Sequence, residues 1–282
     1  MVVVLGVSAS AILVRFSQAP SGVTAAYRLG WTVLLLLPVV LLRCRAELRR
    51  VTARDLVLCG ASGVLLALHF LTWFESLKRT SVASSTVLVS TEVIFTALGF
   101  ALFLHGKIPR LGVWAILLAF GGSALLALSG GGGAGELSSN LLALAAASAA
   151  AVYTLIGRIQ RGHLSTTVYT FLTYLACFLT LLLGTAAAGT PLTGYGGREW
   201  LIGLALAVLC TLLGHSLFSW CLKYLSPSYV SAAKLCEPVF SSLAAIPLFG
   251  EVPGPLQLAG GAAVLGAVLL YTWAEREKTP AG

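Results

Sequence analysis

Apolar runs of about 17 residues or longer recur along the whole chain, which is the length needed to cross a lipid bilayer. In lipid every backbone N–H and C=O must be satisfied internally, so runs of this kind are read as helices. The 282 residues are 58% hydrophobic and 10% charged, against roughly a quarter charged in a soluble domain. The reading is an all-α membrane protein embedded in the lipid bilayer, with no soluble domain left over. The net charge of +8 suggests a nucleic-acid partner at first sight. The basic residues, however, lie in short loops between apolar runs, which is the pattern of the positive-inside rule, and no nucleic acid is expected.

Ten transmembrane helices are expected, at about 2–17, 22–42, 55–77, 81–104, 109–129, 137–158, 164–186, 199–222, 227–249 and 254–274. The first lacks the charged leader region of a signal peptide. Pro20, Pro109, Pro227 and Pro255 stand at helix starts, where a missing N–H costs little. Pro238 and Pro247 fall inside the ninth helix and should kink it. If both termini are cytoplasmic, the inner loops hold Arg43, Arg45, Arg49, Arg50, Arg54, Lys107, Arg110, Arg158, Arg161, Lys223, Arg276 and Lys278. The outer side holds only Arg15, Lys78, Arg79 and Arg198, so the charge bias favours that orientation in an inner (plasma) membrane.

The glycine-rich stretch from Ser129 divides the chain into residues 1–129, a linker at 130–136 and residues 137–282. Gly130, Gly132 and Gly135 match GxGxxG, yet no strand precedes them, so a flexible linker is the reading. Five helices on each side force the second half to enter the membrane in the opposite sense. The architecture is therefore two inverted five-helix repeats, whose binding site would lie between the halves near the midplane.

The strongest internal likeness pairs Leu222–Glu251 with the stretch beginning at Leu77. Without gaps, Leu77-Lys78 falls on Leu222-Lys223, Ser81 on Ser226, Glu92 on Glu237 and Phe95 on Phe240. On a helix Ser231, Lys234, Glu237 and Ser241 share one face, as do Thr86, Val89, Glu92 and Thr96 in the earlier copy. Only the second copy carries a lysine. The six cysteines form no CxxC, and neither a disulfide framework nor a metal site is suggested. No cofactor motif is present.

These residues resemble the drug/metabolite transporter superfamily, specifically the EamA-type exporters with ten helices in two repeats. The second copy has the family's Leu222-Lys223, Glu237-Pro238 and Gly250-Glu251. The first keeps Leu77-Lys78 and Glu92, with Val93 for proline and Gly106-Lys107 for glycine-glutamate. Pro20, Tyr27-Arg28 and Pro38 look like the family's second helix. Gly6 to Arg15 looks like its first helix without the usual tryptophan, and Ala151-Val152-Tyr153 to Arg158 like its sixth. The resemblance implies export, and the aromatic content with the charged ninth helix looks most like amino-acid exporters, including those for aromatic amino acids.

An ionisable residue in a membrane helix should face a cavity or a partner. Lys234 is the candidate for a substrate carboxylate, with Glu237 or Glu92 near its ammonium group; the alternative is an internal Lys234–Glu237 pair. His69 and Trp73, one turn apart, with Tyr153 and His215, are candidates for an aromatic pocket, and histidine can relay protons. Arg28 is read as a brace or an interfacial snorkel. The glycines at 121, 122, 260, 261 and 266 suit close helix packing.

The leading function is a secondary transporter exporting amino acids or related small metabolites by alternating access. Proton coupling and facilitated diffusion stay open. A multidrug or other metabolite exporter of the same fold is the alternative. An intramembrane enzyme lacks HExxH, GxSxG or paired aspartates, Asp55 being the only aspartate. A passive channel would need charge rings or filter loops that are not found.

Overall fold

The computed structural model describes residues 2–103, 108–129, 134–217 and 236–276. Among them the secondary structure is entirely helical. The elements are α1 Val2–Phe16, α2 Ser21–Arg43, the short α3 Arg45–Leu48, α4 Ala53–Arg79, α5 Val82–Val89, α6 Glu92–Phe103 and α7 Arg110–Ser129. They continue with α8 Ala134–Gln160, α9 Thr166–Ala187, α10 Gly197–Ala205, a π-helix Leu206–Ser216, α11 Cys236–Phe249 and α12 Pro255–Arg276. Among the described residues seven segments are long and apolar enough to cross a membrane, at 21–43, 53–79, 82–99, 135–160, 166–187, 197–216 and 255–274. The stretches 110–126 and 237–249 are apolar but shorter.

Helix starts follow local chemistry. Thr52 and Asp55 form a reciprocal capping box at α4, with Asp55 N–H donating to Thr52 Oγ1 at 3.2 Å and Thr52 N–H to Asp55 Oδ2 at 2.9 Å. Ser81 caps α5 and Ser165 caps α9 through the amides three residues on. Two expected elements differ from the sequence reading. The helix expected over 81–104 breaks at Ser90-Thr91, where Ser90 Oγ bonds the Thr86 carbonyl and Thr91 Oγ1 the Leu88 carbonyl. Adjacent hydroxyls compete for helix carbonyls and end α5 there. The single polar stripe Thr86–Val89–Glu92–Thr96 is thereby split between two helical segments. The eighth expected helix winds as α only to Ala205 and then as π, a rare form.

The polarity of the bundle is turned outside in. Leu34, Leu42, Val57, Trp114, Leu117 and Leu183 are exposed, while Arg28, Thr32, Ser62, His69, Ser76 and Thr173 are buried. In water such a surface would aggregate; in a bilayer it is the solvated one. Basic residues separate by face. Arg43, Arg45, Arg49, Arg50, Arg54, Arg110, Arg158 and Arg161 lie at the end where α2 and α8 finish and α4, α7 and α9 begin. The opposite face, where α1 finishes and α2 begins, has Arg15, Lys78, Arg79 and Arg198.

α4 is the hub, packing on α8, α9 and α2, while α7 pairs with α12 and α1 with the π-helix and α11. Small residues set the closest approaches. A Cβ at Gly63 would stand 2.6 Å from the Thr173 carbonyl oxygen and 2.7 Å from the Cys177 amide on α9. Gly122 and Gly260 meet the same way across α7 and α12, at 2.9 Å from each other's carbonyl oxygens. Two of the five glycines expected to pack closely thus do so, whereas Gly121 and Gly266 have open space around them. Gly63→Val should force α4 and α9 apart, an overpacking cost of about 1–3 kcal/mol or more. The expected result is a clear fall in melting temperature and in monodisperse yield.

Candidate functional site

Four aromatic rings on α4 fall within a turn and a half and form the centre of the bundle. His69 and Trp73 stack with ring centroids 5.7 Å apart, His69 and Phe70 lie 5.1 Å apart, and Phe70 and Phe74 5.6 Å. His69 is fixed by α8: its Nδ1 lies 3.0 Å from the Ala146 carbonyl oxygen. A carbonyl only accepts, so Nδ1 carries a hydrogen in this contact. His215, on the π-helix, meets the Phe70 ring edge-on at 6.2 Å. Tyr153 packs against the same core as Trp73 and Phe70 from α8.

Arg28 lies against this group, a placement the sequence reading did not anticipate. It has no solvent exposure, so it does not snorkel. Its Cζ sits 4.3 Å above the centre of the Phe70 ring, Nε donates to Thr211 Oγ1 at 2.8 Å, and Nη1 to Ser10 Oγ at 3.1 Å. A cation over a desolvated ring contributes about 2 kcal/mol and a charged hydrogen bond about 1.5–3 kcal/mol. Together they offset the ~2.5–3.5 kcal/mol insertion penalty of an arginine within a membrane helix. The brace expected at Arg28 therefore exists. Its charged position seven residues into an apolar helix was the available signal; nothing in the sequence marked Ser10, Thr211 or the π turn.

The carboxylates are placed less centrally. Glu92 Oε1 accepts from Thr154 Oγ1 at 2.9 Å, the residue after Tyr153, so these two candidates are neighbours on α6 and α8. Glu237 is partly buried at the start of α11, within electrostatic reach of Arg28 and Cys210. Lys234 lies outside the described residues, as does Ser231. Ser241, from the same expected stripe, is buried and donates to the Ser8 carbonyl at 3.0 Å. The structure thus gathers His69, Trp73 and His215 around Phe70 and Arg28, with Tyr153 and Glu92 on the α8 flank.

The two faces differ. A cavity of about 500 Å³ opens at the arginine-rich face between Arg43, Glu47, Arg50, Asp55 and His163. His69 is fourteen residues along α4 from Asp55, about 21 Å at 1.5 Å per residue, so this cavity is not the aromatic site. Asp55 ties α4 to the end of α8 and the turn after it, taking hydrogen bonds from His163 Nε2 at 2.6 Å and Gln160 Nε2 at 3.1 Å. The opposite face is laced across. Arg15 pairs with Glu251 at 3.0 Å and donates to the Thr80 carbonyl at 3.3 Å, while Glu251 also accepts the Val82 N–H at 2.8 Å. Gly250, at φ 68°, makes the turn that returns Glu251 to Arg15. Ser17 Oγ and the Gln18 N–H donate to Glu199 at 2.6 and 3.1 Å, and Phe16 meets Phe249 with centroids 5.0 Å apart.

The model of the EamA-like transporter family matches residues 1–128 and again 137–273, nearly the whole chain. The chain belongs to that family. Expectations of a transporter set in a lipid bilayer hold with it. Among curated proteins, this EamA-like transporter is 24% identical over 207 residues to the pseudopaline exporter CntI of Pseudomonas aeruginosa strain UCBPP-PA14, covering 73% of this chain and 72% of the relative. The CntI of strain PAO1 matches over the same length at the same identity. A crystal structure superposes with a TM-score of 0.65 at 19% identity, covering 99% of this chain and 96% of the other, which shows a shared fold.

Proposed function

We propose that this EamA-like transporter exports amino acids or related small metabolites across the inner membrane by alternating access. In this reading it spans the membrane ten times as two inverted halves, 1–129 and 137–282, joined by 130–136, with both termini cytoplasmic. The observation that carries it is the constellation of buried Arg28, His69, Phe70 and Trp73 with the half-buried His215 in the middle of a lipid-facing bundle. Charged and aromatic groups buried together suit a zwitterion with an apolar side chain, whose ends are paired while its ring rests on aromatic faces. Lys234 and Glu237, three residues apart, would add opposite charges to the path, with Glu92 and Tyr153 beside it. The exporter relatives support the direction of transport.

In proteoliposomes, large neutral amino acids should be transported, and compounds lacking either the α-carboxyl or the α-amino group should fail to compete. Equal competition by the amines would make the site a cation site and remove the amino-acid assignment. The orientation is tested separately on a cysteine-depleted background. Cysteines at Arg50 and Arg158 should label only from the cytoplasm and one at Ala134 only from outside. Labelling of positions 50 and 134 from the same side would contradict the inverted halves.

A further inference from the structure

We propose that Arg28 and Trp73 together form the anion subsite that receives the substrate's carboxylate, an inference that rests on the transporter reading above. Two buried donors at the aromatic site, Arg28 Nη2 and Trp73 Nε1, have no acceptor among the described residues. Each is 3% exposed or less. They sit on one chain of rings: Arg28 over Phe70 at 4.3 Å, Phe70 to His69 at 5.1 Å, and His69 to Trp73 at 5.7 Å. Both groups can only donate, since neither a guanidinium nor an indole N–H carries a lone pair to accept with. Buried donors without acceptors are rare, and two in one cluster define what is missing there: an acceptor, and beside a cation a negatively charged one.

The arginines elsewhere make the contrast. Arg15 and Arg79, both part-exposed, end on the carboxylates of Glu251 and Glu75. Arg28, the most deeply buried, ends on two hydroxyls and a ring. Ser10 on α1 and Thr211 on the π-helix hold the plane of the guanidinium from two sides, so its remaining nitrogen is oriented before any ligand arrives. A guanidinium fork matches a planar carboxylate. A phosphate would bring a second charge and call for further cations. Glu237, within electrostatic reach of Arg28, is placed to balance the ammonium end of a zwitterion.

The test uses the full chain in lipid nanodiscs with hydrocinnamate, its alcohol and its amine as probes, read by tryptophan emission and thermal shift. Hydrocinnamate should bind at least about ten-fold more tightly than the alcohol, equivalent to about 1.4 kcal/mol. Arg28→Gln should abolish that preference, and Arg28→Lys should keep only part of it. Trp73→Phe, which leaves the brace intact, should reduce the preference and remove the emission change, so the proposal stays testable if Arg28→Gln does not fold. Equal affinity for acid and alcohol in the wild type would overturn the subsite, as water satisfying both donors would give. So would an acid preference unchanged in the Trp73→Phe protein. Failure of amino-acid transport with the acid preference intact would remove the substrate assignment and leave the subsite standing.

Discussion

Lys234→Ala should abolish transport while the protein remains folded and monodisperse, and Lys234→Arg should restore only a fraction of the rate. The argument comes from the repeat. At the matching position of the first copy stands Val89, partly buried against the core, so that place in the bundle is filled without a charge. A lysine within a membrane helix costs ~2.5–3.5 kcal/mol on insertion scales and is retained where it meets a partner. If the partner is Glu237 alone, removing both charges should repair what removing one has broken. The Lys234→Ala/Glu237→Gln double variant separates the cases. Restored transport in the double variant would reduce the pair to mutual neutralisation; continued loss supports substrate contact.

The second large effect is expected at the face where α1 ends. Arg15→Glu or Glu251→Arg alone should lower transport by at least about ten-fold, because each places like charges 3.0 Å apart where a salt bridge now joins the end of α1 to the turn after α11. The double charge reversal should recover part of the rate. Recovery will be incomplete, since Arg15 also holds the Thr80 carbonyl and Glu251 the Val82 N–H, and neither backbone partner can be reversed. Additive losses in a double-mutant cycle would show that the two side chains act separately. Accessibility to a membrane-impermeant reagent at a Phe249→Cys position should rise further in the single variants, as the segments joined by the Arg15–Glu251 bridge separate.

The helices were legible in the sequence because lipid leaves few options: an apolar run of sufficient length folds into a helix whatever surrounds it. The ends expected for α2, α4, α7 and α9 fall within two residues of those observed. The break at Ser90-Thr91 was not legible, because it depends on hydroxyls choosing their own helix's carbonyls over another partner. The stacking of His69 on Trp73 was legible in their one-turn spacing, and the closeness of Tyr153 and Glu92 follows from α6 lying on α8. Arg28 was seen but read as support. Whether a buried cation is fully satisfied depends on what three other helices present to it, and pattern along one helix carries no such information. The Arg15–Glu251 tie joins residues 236 positions apart and was equally out of reach.

The π-helix Leu206–Ser216 gives the bundle a degree of freedom that its α-helices lack. Its carbonyls can exchange partners from the fifth to the fourth residue on, and each exchange turns the residues beyond it about the helix axis. Thr211 and His215 stand on this segment four residues apart, one bonded to Arg28 and the other against Phe70. A single register slip would therefore pull a hydroxyl away from the guanidinium and swing an imidazole across the ring in one motion. Such a screw-like element lets a tightly packed core change its chemistry by rewinding one strand of the bundle.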